Sequence, residues 1–358
     1  VSDETKQAVF DRVEKFRSRR RRFDDEVVTM AHGAGGKSSE ALLDGVFLEA
    51  FDGTMLQERD DGGVVSTGAD VLVMSTDSFV ITPWRFAGGS IGSLAVHGTV
   101  NDVAVMGAVP RWITVAFVIE EGFLVADLRE IVDDMAEAAK AAGVTIVSGD
   151  TKVVERGAAD GIYITTTGVG MRDQSLVLGA EHVQVGDQVL VSGSIGDHGM
   201  SIMLARGGLS FDADIVSDSA ALHGLVAEVL GAAPGTRWFR DPTRGGVASA
   251  LNELVTSNGL TVELDEAALP VSPPVAGACE ILGLDPLYVA NEGKAIAVVA
   301  PECAAAALDA MRSHPLGREA AVIGEVVDEP PGLVVLRTPF GGTRIVDLLV
   351  GDPLPRIC

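Results

Sequence analysis

Apolar and polar positions alternate in two rhythms along the chain. In SEALLDGVFLEAF (39–51), Leu42, Leu43, Val46, Phe47 and Ala50 recur at helical spacing and predict a helix with one apolar face. The apolar run VLVMST (71–76) predicts a buried strand that delivers Asp77 at its end. The pattern then predicts a helix over 90–106 carrying Asn101 and Asp102, a strand over 112–119, and a helix over 127–143 with Gly143 past its end. VTIVS (144–148) predicts a strand that delivers GDTK (149–152), and IYITTTGVG (162–170) predicts another. Near 171–187 the rhythm resets. A strand follows over 188–193, then a helix entered through SIGDHGMSIMLA, and RDPTRGG (240–246) precedes a helix running to about Ser257. Strands over 294–300, 320–326 and 333–337, with a helix over 301–312, complete the second half. Mixed elements in both halves predict an α+β chain of two domains, 27–175 and 176–345, which suits a length of 358 residues. After about Leu348 no packing pattern remains, and residues 346–358 read as a flexible tail.

Composition narrows the class. With 47% hydrophobic and 22% charged residues the chain is an ordinary folded protein. Its 42 glycines and 5% aromatics suit an enzyme with many tight turns and disfavour a protein that stacks bases. A net charge of −24 argues against nucleic acid and anionic membrane as partners. Basic residues concentrate at the start, in RSRRRR (17–22), so residues 1–26 read as a solvated, disordered leader. There is no apolar signal core and no run long enough to span a bilayer. Cys279, Cys303 and Cys358 lie far apart without a CxxC pair, which suggests neither a zinc site nor a disulfide framework. A reducing, cytoplasmic setting is expected.

One habit recurs where strands end and helices begin: an Asp, Asn or Glu beside small residues. It appears in STDS (75–78), NDVA (101–104), SGDTK (148–152), GDHG (196–199), RDPTRGG (240–246) and NEGK (291–294). Singly these are turn chemistry. Together they suggest carboxylates converging on one place, which would repel unless cations sit among them; Mg²⁺ with a polyphosphate meets that need. MAHGAGGKSS (30–39) is the phosphate-loop candidate, because Gly33, Gly35 and Gly36 free the backbone to turn amides toward an anion. It is not a Walker loop, since the first required glycine falls on Ala31. His198 is either a helix-entry residue or a catalytic group. Cys279 and Cys303 fall in apolar segments and read as core thiols. Cys358 ends the chain in GDPLPRIC, behind two prolines that hold the tail extended, and it is not in a prenylation box.

AHGAGG, TDS, NDVA, GDTK, GDHG, DPTRGG, ANEGK, SHPLG and the terminal PRIC occur in the order found in the HypE family of hydrogenase maturation proteins, which the chain resembles from about Val27 to Cys358. That family belongs to the superfamily of aminoimidazole ribonucleotide synthetase and selenophosphate synthetase. The resemblance implies a two-domain, synthetase-type (PurM-like) subunit whose N-terminal halves pair through their sheets in a homodimer. It implies ATP-dependent dehydration of a carbamoyl group on Cys358 to a thiocyanate, supplying cyanide to the iron of nickel–iron hydrogenase. The implied partners are the carbamoyltransferase HypF and the HypC–HypD iron scaffold. Cys358, Glu292, Lys152 and His198 would be catalytic. Gly33, Gly35, Gly36, Asp77, Asn101, Asp102, Asp150, Thr151, Thr243 and Arg244 would bind nucleotide. Asp77, Asp102, Asp150 and Asp241 would hold Mg²⁺. A sister phosphotransferase, or a carbamoyl carrier without dehydratase activity, is the alternative. Selenophosphate synthetase usually places a Cys or selenocysteine in the glycine loop beside a lysine; here Lys37 is present and the Cys is not.

Overall fold

Two sheets, one in each half, hold the chain's strands. The computed structural model describes residues 25–51, 60–207, 214–349, 354 and 356–358; all but the last two residues of the predicted leader lie outside them. The first half contains β1 (Gly63–Ser66), β2 (Val71–Phe79), a ribbon of β3 (Arg85–Phe86) with β4 (Gly89–Ser90), then β5 (Ala108–Glu120), β6 (Thr145–Val154) and β7 (Ile162–Arg172). Its five-stranded sheet runs β1-β2-β7-β5-β6, and β5 with β6 is its parallel pair. The second half contains β8 (Gln188–Val191), β9 (Thr236–Arg240), β10 (Thr261–Asp265), β11 (Ile296–Val299), β12 (Ala321–Val327), β13 (Val334–Arg337) and β14 (Thr343–Ile345). Their order is β14-β13-β10-β12-β8-β11-β9.

Strand alternation gives the first sheet two unlike faces. On β7, Ile162, Ile164, Thr166, Gly168 and Gly170 are buried, while the intervening residues are not. The buried face lies under the helix Ile91–Val105, which itself is enclosed by the sheet, the helix Val125–Ala141 and the second-half helix His223–Ala232. Enclosure on several sides explains why its sequence, IGSLAVHGTVNDVAV, is apolar nearly all round instead of striped. Gly92 permits the helix pair, because a Cβ there would stand 2.1 Å from the Ile131 carbonyl oxygen. Met74, Trp112 and Val147 lie exposed on the sheet's other side or its β6 edge. Among the described residues no helix is long and apolar enough to cross a membrane.

Strands run past their predicted ends. VLVMST continues to Phe79, so Asp77 lies inside β2, and the strand from Thr145 continues through GDTK to Val154. The ladder partners explain this: Asp77 pairs with Thr166, and Gly149 to Lys152 pair with Val115 to Val118. Sequence alone marked Gly-Asp as a strand end, but the longer neighbouring β5 supplies partners beyond it.

Asn101 joins the halves. Its amide nitrogen donates to the Ala220 and Glu292 carbonyls at 3.0 and 3.1 Å, and its oxygen accepts the Leu222 N–H at 2.8 Å. Expected as a nucleotide ligand, it is fully buried with its amide occupied by main chain. Asn101→Ala leaves those main-chain groups without their partner and is expected to lower stability by about 3 kcal/mol, read from urea unfolding midpoints.

Candidate active site

Three segments distant in sequence bring carboxylates together. Asp61 precedes β1, Asp102 rides the enclosed helix, and Asp241 follows β9; one oxygen from each lies within 4.8 Å of the others. Ser75 Oγ donates to Asp102 Oδ2 at 2.5 Å. Arg240 Nη1 reaches Asp61 Oδ1 at 3.0 Å, and the same guanidinium also pairs with Glu253. Burial pushes Asp61 and Asp102 well above the usual carboxylate range and Asp241 up to about 6, and the neighbouring carboxylates add to the rise in each. Asp77 is raised by burial and restrained by Arg244. Asp61 Oδ2 and Asp241 Oδ2 are buried without a hydrogen-bond partner. Unsatisfied oxygens in an over-acidic cluster fit a hard divalent cation.

Glu292 stands beside this cluster. It is buried, its Oε1 has no hydrogen-bond partner, and burial and then Asp241 and Asp77 push its carboxyl well above the ordinary range. Its backbone is fixed, with its N–H donating to Asp218 Oδ1 at 3.0 Å and Lys294 Nζ on Asp218 Oδ2 at 3.0 Å. A carboxyl that is immobile, desolvated and unpartnered is suited to taking a proton.

His198 has a different position. Its Nε2 donates to the Ile357 carbonyl at 2.6 Å, because a carbonyl oxygen only accepts, and its Nδ1 meets Ser217 Oγ at 2.8 Å. Both ring nitrogens are engaged, one by the Ile357 carbonyl and one by Ser217, whereas Glu292 Oε1 has no hydrogen-bond partner.

Of the tail expected over 346–358, residues 350–353 and 355 lie outside the described residues, and the described chain end is seated. Leu354 and Ile357 are buried. Arg206 Nη2 donates to the Arg356 carbonyl at 2.5 Å and its Nε to the Thr82 carbonyl at 2.8 Å. Arg356 adopts a left-handed φ of 55°, donates through Nε to the Val80 carbonyl at 3.0 Å and pairs with Asp160. The Val80 N–H donates to the Cys358 carbonyl at 3.1 Å. Cys358 thereby enters a cavity of about 390 Å³ whose lining includes Gly33, Gly35, Gly36, Ser78 and Arg244.

The glycine loop folds over the second half. Arg244 Nη1 donates to the Gly33 carbonyl at 3.0 Å and Ser249 Oγ to the Gly35 carbonyl at 3.2 Å. Gly35 has φ +72°, and a Cβ there would crowd the Arg244 backbone at 3.2 Å. Lys37 Nζ binds Asp347 at 2.5 Å, so this lysine fastens the loop to the chain that leads into the tail. Arg244 is raised by Cys358 first, and Asp77, Glu292 and Asp102 raise it further against its burial. Thr243 lies on the turn between Asp241 and Gly246, its N–H on the Asp241 carbonyl at 3.0 Å.

Asp150, Thr151 and Lys152 are not in this cluster. They lie on the edge strand β6, where Lys152 Nζ pairs with Asp150 at 2.5 Å and both side chains are about two-thirds exposed. Register places Asp77 level with Gly149, three strands across, or ~14 Å. Asp150 and Lys152 pair with Ala116 and Val118, whose side chains point to the face opposite Asp77. Within one subunit the expected four-carboxylate metal set is therefore corrected to Asp102 and Asp241 with Asp61, and with Asp77 close enough to raise them both. Asp61 escaped the sequence reading, although DDGG (60–63) repeats the Asp-Gly habit seen elsewhere.

Comparison with known proteins gives the family of the chain. Residues 59–172 match the N-terminal domain of AIR synthase related proteins, and 184–336 match the C-terminal domain. The carbamoyl dehydratase HypE of Azotobacter vinelandii is 54% identical over 331 residues, which is 92% of this chain and 97% of the relative. The chain belongs to the HypE family of carbamoyl dehydratases. Solved HypE structures share its fold: a HypE–HypF complex superposes with TM-score 0.82 at 46% identity, covering 86% of this chain and all of that one. HypE in complex with ATP gives TM-score 0.78 at 43% identity, covering 93% and 100%. Of the motifs, the seated PRIC end and the NEGK glutamate both act on Arg244, whereas GDTK stands apart on an edge.

The raised carboxyl pKa values set a sign for stability. These groups hold protons in the fold that the unfolded chain releases near pH 4, so their contribution is full below about pH 4 and is lost as pH rises through about 6 and above. In chelator, the melting temperature is expected to fall between about pH 5 and 8. Asp241→Asn should flatten that slope in scanning calorimetry; a slope unchanged by Asp241→Asn would contradict the assignment.

Proposed function

We propose that this chain uses ATP to dehydrate a carbamoyl group carried on its own Cys358, leaving a thiocyanate whose cyanide serves the iron of a nickel–iron hydrogenase. One observation carries the reading: Arg244 is shared by Cys358 on one side and by Asp77, Glu292 and Asp102 on the other. The terminal residue and the acidic cleft thus belong to one electrostatic site. The family names, the HypF complex and the ATP complex of relatives support the same assignment.

Oxide is a poor leaving group from an amide carbon. ATP supplies a phosphoryl group for the carbamoyl oxygen, giving an O-phosphorylated imidate on sulfur, ADP and a proton. The C–O bond then breaks with loss of phosphate, the remaining N–H proton leaves, and the C≡N bond closes. Glu292 is placed to receive a proton from nitrogen, its burial making it a stronger base than an ordinary carboxylate. Arg244 is the cation for charge that develops on oxygen. His198 and Arg206 hold the tail by its carbonyls. Asp61, Asp102 and Asp241, with Asp77, would hold Mg²⁺, which would neutralise phosphate charge when bound. Gly33, Gly35 and Gly36 line the nucleotide side of the cavity.

Lys152, Thr151 and Asp150 take part through a second copy. The exposed apolar residues Met74, Val109, Trp112, Val147, Val153 and Met171 of the first sheet favour a homodimer built on that sheet. HypF would load the carbamoyl group, and a HypC–HypD complex would receive cyanide.

Two experiments test this reading. Intact mass after incubation with HypF, carbamoyl phosphate and ATP should show a carbamoyl adduct mapping to Cys358 that then loses one water. Glu292→Gln should slow the water loss by about 10²- to 10⁴-fold while the adduct still forms; an adduct that never loses water leaves a carrier. Separately, Trp112→Asp should shift the sedimentation of the full chain from dimer to monomer and abolish water loss, and an unchanged dimer would remove this sheet as the interface.

A further inference from the structure

The segment Ser217–Ser219 touches two parts of the site that lie apart in sequence. Ser217 Oγ meets His198 Nδ1 at 2.8 Å, and the Ser219 N–H donates to the same Oγ at 3.1 Å. The Ser217 N–H is anchored on the Ala87 carbonyl at 2.8 Å. Next along, Asp218 Oδ1 accepts the Glu292 N–H at 3.0 Å. Ser219 Oγ meets His97 Nδ1 at 3.0 Å. His198 is fully buried, and Phe86 packs edge-on to its ring at 5.6 Å between centroids.

Donor and acceptor rules fix the direction of the chain of bonds. The Ile357 carbonyl accepts only, so Nε2 carries hydrogen. In a buried neutral ring Nδ1 then accepts, and the Ser217 hydroxyl donates to it. The Ser219 N–H occupies the hydroxyl's acceptor side and turns its proton toward the ring. We propose that Ser217 is a positioning residue: its hydroxyl holds His198 as the Nε2–H tautomer, and that single proton seats the Ile357 carbonyl and with it Cys358. Without the hydroxyl donor Nδ1 is left as a buried acceptor with no partner, which disfavours the Nε2–H tautomer that the Ile357 carbonyl needs. The opposite tautomer points a lone pair at a carbonyl lone pair, and the seat is lost.

The same segment supports Glu292 through Asp218, so the holder of the tail and the base candidate share one backbone support. That consequence rests on the proposed chemistry; the seating of the tail does not. The seating is therefore tested without turnover. Carboxypeptidase Y is applied to the full chain, and release of Cys358 is followed by intact mass. Release from a seated end requires it to open first, so the rate tracks the open population. Ser217→Ala should speed release about fivefold, the effect of one hydrogen bond, and Ser217→Thr should return it to the parent rate. His198→Ala should speed release at least as much, with Ser217→Ala adding nothing on top of it. Release at the parent rate in Ser217→Ala, or effects that multiply in the double variant, would overturn the proposal. The tautomer is read independently from ¹⁵N shifts of histidine-labelled parent protein. An Nε2–H ring is expected, and an Nδ1–H ring overturns the assignment whether or not the variants fold. Failure of the dehydratase reading would leave both measurements unchanged.

Discussion

The site depends on carboxylates buried with too little positive charge. Asp61, Asp102, Asp241 and Glu292 are all pushed upward by desolvation and by one another, with Arg240 and Arg244 as the opposing cations. Such a cluster is unfavourable by itself, because each buried charge loses hydration that its neighbours do not replace. The fold tolerates it by taking the groups from rigid places: a helix enclosed on several sides, the start of β1 and the end of β9. Asn101 stands beside Asp102 on that helix and ties it to the second half through the Ala220, Leu222 and Glu292 main chain. The joint between the halves and the acidic cleft are thus consequences of one helix.

Much of this was legible in the sequence, though unevenly. The helices over 91–105 and 125–141 and the central strands follow their apolar periodicity closely, because burial there is decided locally. The Asp and Glu motifs beside small residues named Asp77, Asp102, Asp241 and Glu292, carboxyls that burial raises in the fold. What escaped depends on ladder partners. GDTK read as a loop after a strand, but its residues pair with Val115 to Val118 and stay in register to Val154. No local pattern reveals that β6 is an edge, or that its side chains point away from Asp77. Ser217, Arg206 and Asp218 were equally invisible, since their meaning comes from His198, the Arg356 carbonyl and the Glu292 N–H, which no local pattern joins to them.

Placement of Lys152 has a structural consequence of its own. A lysine paired with its neighbour Asp150 on an open edge has little influence on stability, since solvent screens an exposed ion pair. Its value must lie in what it faces. The exposed apolar residues of the same sheet lie alongside it, and covering that sheet with a second copy removes both the open edge and the exposed apolar side chains. The proposed second copy would make the edge strand half of a shared site.

Cys358 lines a cavity of about 390 Å³. The end is gripped by main-chain carbonyls: Arg206 holds that of Arg356, His198 that of Ile357, and the Val80 N–H that of Cys358. None of these bonds involves the sulfur. Under the proposed chemistry, a hold on these carbonyls would keep the chain end beside Arg244 while the group on Sγ changes.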